Sequence, residues 1–102
     1  IEEIVEEVFF KTNDVLHQNI DTSFSGSTCS VAIINKTNLL SINLGDSRII
    51  LGREVNGSFN VIDLTRDHKP NDPEERERII NMKGEVRKYS PDNSDSGTYR
   101  IC

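Results

Sequence analysis

The chain has 102 residues, 34% of them hydrophobic and none of them tryptophan, which suits one small domain with a thin core. Charged residues make up 28% and the net charge is −5, which gives no basis for nucleic-acid binding and suits a cation or a basic partner better. No apolar run approaches the roughly 18–20 residues of a membrane span, and no signal peptide is visible, so no membrane association is expected.

Ile1, Ile4, Val5, Val8, Phe9, Val15 and Leu16 recur at helical spacing, while Glu2, Glu3, Glu6 and Glu7 fall mainly on the other side. The pattern predicts an amphipathic helix over about 1–20 with a solvated acidic face. His17 lies on it and reads as a surface residue. "DTSFSGST" then breaks the periodicity with small, turn-forming residues. Four apolar runs follow: Cys29 to Ile34, Leu39 to Leu44, Arg48 to Arg53 and Phe59 to Leu64. The connections "NKTN", "GDS" and Asn56-Gly57 are short and turn-like, which predicts an antiparallel meander of four strands.

In "TRDHKPNDPEERERIINMKGEV" Asp72 is a good N-cap, Pro73 fits the first helical position, and Glu75 can close a capping box. Gly84 is a natural stop, so a helix is expected over about 73–83, with Ile79, Ile80 and Met82 available for packing. "RKYSPDNSDSG" reads as an exposed loop, and Thr98 to Cys102 as the start of another strand. The fold class is therefore α+β, an antiparallel meander with flanking helices.

The two cysteines, Cys29 and Cys102, make no disulfide scaffold. Cys29 in "STCSVAII" reads as a buried thiol, and a reducing, intracellular compartment, cytoplasm or nucleus, is favoured. The chain opens on "IEEIVEEVFF" without an initiator Met and closes on "TYRIC" in what reads as a strand. Both ends predict a piece of a longer polypeptide.

"SGST" at Ser25–Thr28, "LGDSR" at Leu44–Arg48 and "LTRDHKPNDPEERERI" at Leu64–Ile79, in that order and spacing, resemble the metal-dependent type 2C Ser/Thr protein phosphatases. Each string alone is common; the ordered set is specific. The resemblance is strong from about Ser25 to Val86, extends plausibly to the helix before it, and says nothing from Arg87 on. It implies a fold of two antiparallel sheets flanked by helices, of which 1–102 would be a central fragment of the single catalytic domain. It implies two Mn²⁺ or Mg²⁺ ions as cofactors, a metal-activated water, and phosphoserine or phosphothreonine in phosphoprotein substrates. Hard dications prefer oxygen ligands, and two close together need several carboxylates.

The sequence lacks the family's upstream Asp-Gly-His-Gly-type segment and its downstream Asp-Gly and Asp-Asn segments, which carry the ligands of those two metals. No catalytic residue is therefore assigned within the chain. "MKGEV" also stands where the family often has two consecutive glycines, a difference confined to a helix end.

The remaining candidates have two readings each. Asp46 is either a turn residue at a hairpin tip or, by the resemblance, a ligand of a third, weaker metal ion. Thr28 either serves turn and sheet entry or, by the resemblance, supports the metal waters. His68 and Lys69 invite a general-acid reading, yet the His that resembles a family acid belongs to the missing upstream segment, so "DHKPND" reads as a structural connector. Arg48 reads as the partner of a carboxylate.

Three functions compete. The first is a metal-dependent phosphoprotein phosphatase, with this chain alone inactive. The second is a phosphatase-like interaction or regulatory module that has lost its metals. The third is an unrelated all-β binding module. Half a sandwich would leave a sheet surface open to association.

Overall fold

The computed structural model describes residues 1–90 and 97–102. In order, the elements are α1 (Glu2–Asn19), β1 (Cys29–Asn35), β2 (Asn38–Leu44), β3 (Ile50–Val55), β4 (Ser58–Asp63), α2 (Pro73–Asn81), β5 (Val86–Tyr89) and β6 (Thr98–Ile101). The α+β class holds, and every strand pairing is antiparallel.

The strands form three two-stranded sheets, β1–β2, β3–β4 and β5–β6, in place of one continuous meander. The turns explain the first two. Lys36 takes a positive φ of 54° in the two-residue turn between β1 and β2. Asn56 and Gly57 both take positive φ, 52° and 78°, as a type I′ hairpin turn requires. "GDS" makes no hairpin. Residues 45–49 lie outside the strands, so the third strand starts at Ile50 rather than Arg48, and β2 does not pair with β3.

Helix α1 begins without a side-chain cap, although Glu2 and Glu3 in its first turn suit the positive end of the helix dipole. Lys11 pairs with Glu7 one turn back, at 2.6 Å. His17 is exposed as expected, and its Nδ1 lies 2.6 Å from Thr22 Oγ1. The apolar residues of α1 line an open groove against β1 and β2, with Val5, Val8 and Phe9 on one side and Cys29, Val31 and Ile42 on the other. None of them is buried, and Cys29 is half-buried rather than buried, because nothing among the described residues fills the groove. No helix among the described residues is long and apolar enough to cross a membrane.

Helix α2 starts as the sequence predicts. The Asp72 carboxylate accepts from the N–H groups of Glu74 and Glu75, and Pro73 occupies the first turn. The capping box does not close: the Asp72 N–H donates to Lys69 O at 2.9 Å, and the Glu75 carboxylate accepts from Arg78. The helix ends at Asn81, and Lys83, with φ 64°, makes the left-handed turn assigned above to Gly84. Gly84 is needed for space. A Cβ there would lie 2.7 Å from Ile79 Cγ2 and 3.1 Å from Ile79 O. Ile79, at 4% exposure, is the one buried hydrophobic among the described residues; Ile80 and Met82 stay exposed.

The polar stretch after α2 is partly a strand. Val86–Tyr89 pairs with Thr98–Ile101, and Glu85 and Cys102 exchange two further backbone hydrogen bonds in the same register. The rest of the expected loop, 91–96, lies outside the described residues.

The tight contact at Gly84 makes a test. Gly84→Ala should lower stability by about 1–3 kcal/mol through overpacking against Ile79. Gly52→Ala, where nothing lies within 4 Å of the added Cβ, should be near silent. Urea midpoints of the two variants measured side by side check this, and equal midpoints would refute the crowding at Gly84.

Candidate functional site

The segment Gly45–Ile49 bends at Gly45–Asp46 and belongs to no strand, so its backbone polar groups find partners of another kind. They find them on residues 64–68. Leu64 N–H donates to Ile49 O at 3.0 Å, and His68 N–H donates to Gly45 O at 3.0 Å. These pairs continue the β3–β4 register, in which Ile50 faces Asp63. The return bonds come from side chains. Ile49 N–H donates to Thr65 Oγ1 at 2.9 Å, and Gly45 N–H donates to His68 Nδ1 at 3.2 Å. The motifs "LGDSR" and "LTRDHK" are thus two edges of one ribbon.

Three further contacts fasten it. Asn43 Nδ2 donates to Gly45 O at 3.1 Å. Thr28 Oγ1 lies 2.6 Å from Ser47 Oγ. Arg48 binds Asp67 with two parallel hydrogen bonds of 3.0 Å each, and Lys69 Nζ approaches the same carboxylate at 3.3 Å. Gly45 also has to be glycine: its φ is +102°, and a Cβ would lie 2.5 Å from Thr28 Cγ2. The structure thus makes His68 a backbone acceptor and Arg48 a carboxylate partner, in line with their structural readings. Thr28 touches Gly45 and Ser47 on either side of Asp46. Reading the sequence alone misses Thr65, Ser47 and Asn43 as fasteners, since a hydroxyl or an amide carries no mark of which distant N–H or carbonyl it will meet.

Asp46 sits at the exposed bend of this ribbon and not at a hairpin tip. Among the described residues its carboxylate has no hydrogen-bond or ion-pair partner. It lines an open cleft of about 500 Å³ with His68, Lys69, Tyr99 and Arg100. Among the described residues no three His, Cys, Asp or Glu side chains converge as a metal site. One carboxylate offers one or two of the six or so oxygens a hard dication takes, so Asp46 alone does not make a metal centre.

The charge on Asp67 is set by its neighbours. The hydrogen bonds from Arg48 hold its carboxyl below the usual aspartate range, partial burial opposes this, and Lys69 adds to the lowering. Arg48 is correspondingly raised, chiefly by Asp67. At the start of α2, Arg66 bonds to Asp72 at 2.8 and 2.9 Å and lowers its carboxyl, helped by the N–H of Glu75.

The family profile described as Protein phosphatase 2C matches residues 2–95. The chain belongs to this family. Among curated relatives, "Probable protein phosphatase 2C 73" of Arabidopsis thaliana is 42% identical over 71 residues, covering 69% of this chain and 19% of that protein. "Probable protein phosphatase 2C 14" of Oryza sativa subsp. japonica is 43% identical over 72 residues, 70% of this chain and 14% of that protein. "Probable protein phosphatase 2C 2" of Paramecium tetraurelia is 36% identical over 98 residues, 83% of this chain and 31% of that protein. The chain therefore spans less than a third of the length of these phosphatase 2C relatives. No solved structure matches it.

The lowered carboxyl of Asp67 gives a pH test with a definite sign. A carboxyl held below its unfolded value contributes stability that is complete above that value, about 3.9, and lost as pH falls through the folded value. Asp67→Asn should lower the melting temperature at neutral pH, and the gap to the parent should close as pH falls below about 4. A gap that stays constant down to about pH 2 would rule out the Arg48–Asp67 ion pair as its source.

Proposed function

We propose that these 102 residues are the central stretch of the catalytic domain of a metal-dependent protein phosphatase acting on phosphoserine and phosphothreonine. The observation that carries this reading is the fastening of "LGDSR" to "LTRDHK", which leaves Asp46 as an exposed, unpaired carboxylate beside a cleft. Family membership supplies the phosphatase class. Mn²⁺ or Mg²⁺, when bound by a full set of carboxylates, supplies a water activated for attack at phosphorus. This chain contributes Asp46 at a third, weaker site beside those metals, with Thr28 holding the same bend through Ser47. Lys69 and Arg100 on the cleft suit an anionic phosphopeptide.

The same reading places the protein inside the cell, in cytoplasm or nucleus. It makes the open apolar face of β1 and β2 a surface that the rest of a two-sheet sandwich covers. By itself, the 102-residue chain would associate through that face.

Two measurements test the proposal. The full-length protein should release phosphate from phosphoserine or phosphothreonine peptides with Mn²⁺ or Mg²⁺, and the 102-residue chain alone should not. A full-length protein that folds, binds metal and shows no turnover would leave a phosphatase-like interaction module instead.

The second measurement is on Asp46→Asn in the full-length protein. It keeps side-chain size and turn propensity but replaces a carboxylate by an amide, a poorer ligand for a hard dication. Melting should be unchanged, turnover should fall, and the Mn²⁺ needed for saturation should rise. Unchanged melting with an unchanged metal curve would retire the ligand reading.

A further inference from the structure

Asp46 makes no hydrogen bond or ion pair of its own among the described residues, so the backbone on either side is what sets the direction of its Cα–Cβ bond. On one side Ser47 is tied to Thr28. On the other, Gly45 and His68 exchange two hydrogen bonds, one backbone to backbone and one backbone to ring. An antiparallel pair ordinarily exchanges two backbone bonds. Here the imidazole has replaced the His68 carbonyl as the acceptor of Gly45 N–H, which moves that bond from the ladder to the ring. With Nδ1 accepting, a neutral ring carries its proton on Nε2. The Thr28 side chain fills the space a Cβ on Gly45 would need.

We propose that His68 is a positioning residue for the candidate metal ligand Asp46, acting through its ring acceptor on Gly45 N–H. This rests on the reading of Asp46 as a ligand. A ligand on a bend binds a metal well only if its own bearing is fixed in advance by the groups behind it. His68 therefore serves the metal site without touching metal or substrate, and what matters in it is an acceptor at the Nδ1 position. The merely structural alternative, in which the ring only satisfies an amide, predicts an effect on stability and none on metal binding.

The two readings separate in the full-length protein with His68→Asn, His68→Gln and Asp46→Asn. The Asn side chain places an oxygen close to where Nδ1 stood. The Gln side chain places its polar end near Nε2, too far out to meet Gly45 N–H. Binding of Mn²⁺ alone is followed by the electron paramagnetic resonance of the free ion, with melting recorded beside it. His68→Gln should weaken Mn²⁺ binding at the site Asp46 serves by about tenfold, the low end of the loss when a supporting group is removed, and His68→Asn should restore it to within about twofold. In the parent protein a nitrogen–nitrogen coupling across the hydrogen bond should link Gly45 N to His68 Nδ1.

If Asp46→Asn weakens binding and His68→Gln does not, positioning by His68 is wrong and the ligand reading stands. If Asp46→Asn leaves binding unchanged, the ligand reading fails and the positioning falls with it. Should His68→Gln fail to fold, a missing coupling together with fast exchange of the Gly45 amide in the parent overturns the proposal, and weakened Mn²⁺ binding in a folded His68→Ala variant supports it.

Discussion

The pairing of Gly45–Ile49 with residues 64–68 is the constraint on which the rest of the site depends. A segment outside any sheet still has amides and carbonyls to satisfy, and Gly45, Ser47 and Ile49 are half-buried. The chain solves this by running the β3–β4 register past the ends of both strands. Beyond Ile50 and Asp63 the two edges no longer exchange full backbone pairs. Thr65 and His68 lend side-chain acceptors in place of carbonyls. A bend held this way can leave the plane of the sheet and still be fixed, which lets Asp46 stand exposed on a rigid support.

Packing contributes little to this arrangement. Ile79 is the one buried hydrophobic among the described residues, and Phe24, Ile1 and Ile34 are 100%, 82% and 77% exposed. An isolated two-stranded hairpin is marginal in water, and here there are three of them. Covering the groove between α1 and the first hairpin would add burial at about 25 cal/mol per Å² of apolar surface. The chain spans less than a third of its relatives' length. Local hydrogen bonds give each hairpin its shape, and long-range burial would fix how the hairpins sit together.

What the sequence made legible follows from range. The start of α2 was readable because Asp72, Pro73 and the Glu74 and Glu75 N–H groups that Asp72 caps lie within four residues of each other. The β3–β4 turn was readable because Asn56-Gly57 is a local conformational signal. "GDS" misled because its turn-like residues obey the same local rules, whereas Gly45's partner lies 23 residues on and Ser47's lies 19 residues back. Strand β5 was hidden because "VRKY" has few apolar residues, and its partner β6 lies beyond a polar stretch. The Arg48–Asp67 pair was half legible: its charges are visible in the sequence, and the 19-residue separation that joins them is not.

Asp46 and Asp67 show how environment divides one residue type into two roles. They stand on opposite edges of the same ribbon. The Asp67 side chain is 14% exposed and its charge is already matched, by two hydrogen bonds from Arg48 and by the approach of Lys69. It is committed to the ribbon, and a cation placed there would have to displace a guanidinium. Asp46 is exposed, and no cation among the described residues answers it. A hard dication selects oxygens whose charge is not yet compensated. The ion pair on one edge thus fastens the backbone, and the carboxylate on the other keeps its charge unmatched among the described residues. The difference lies in the neighbours, since the two residues are chemically identical.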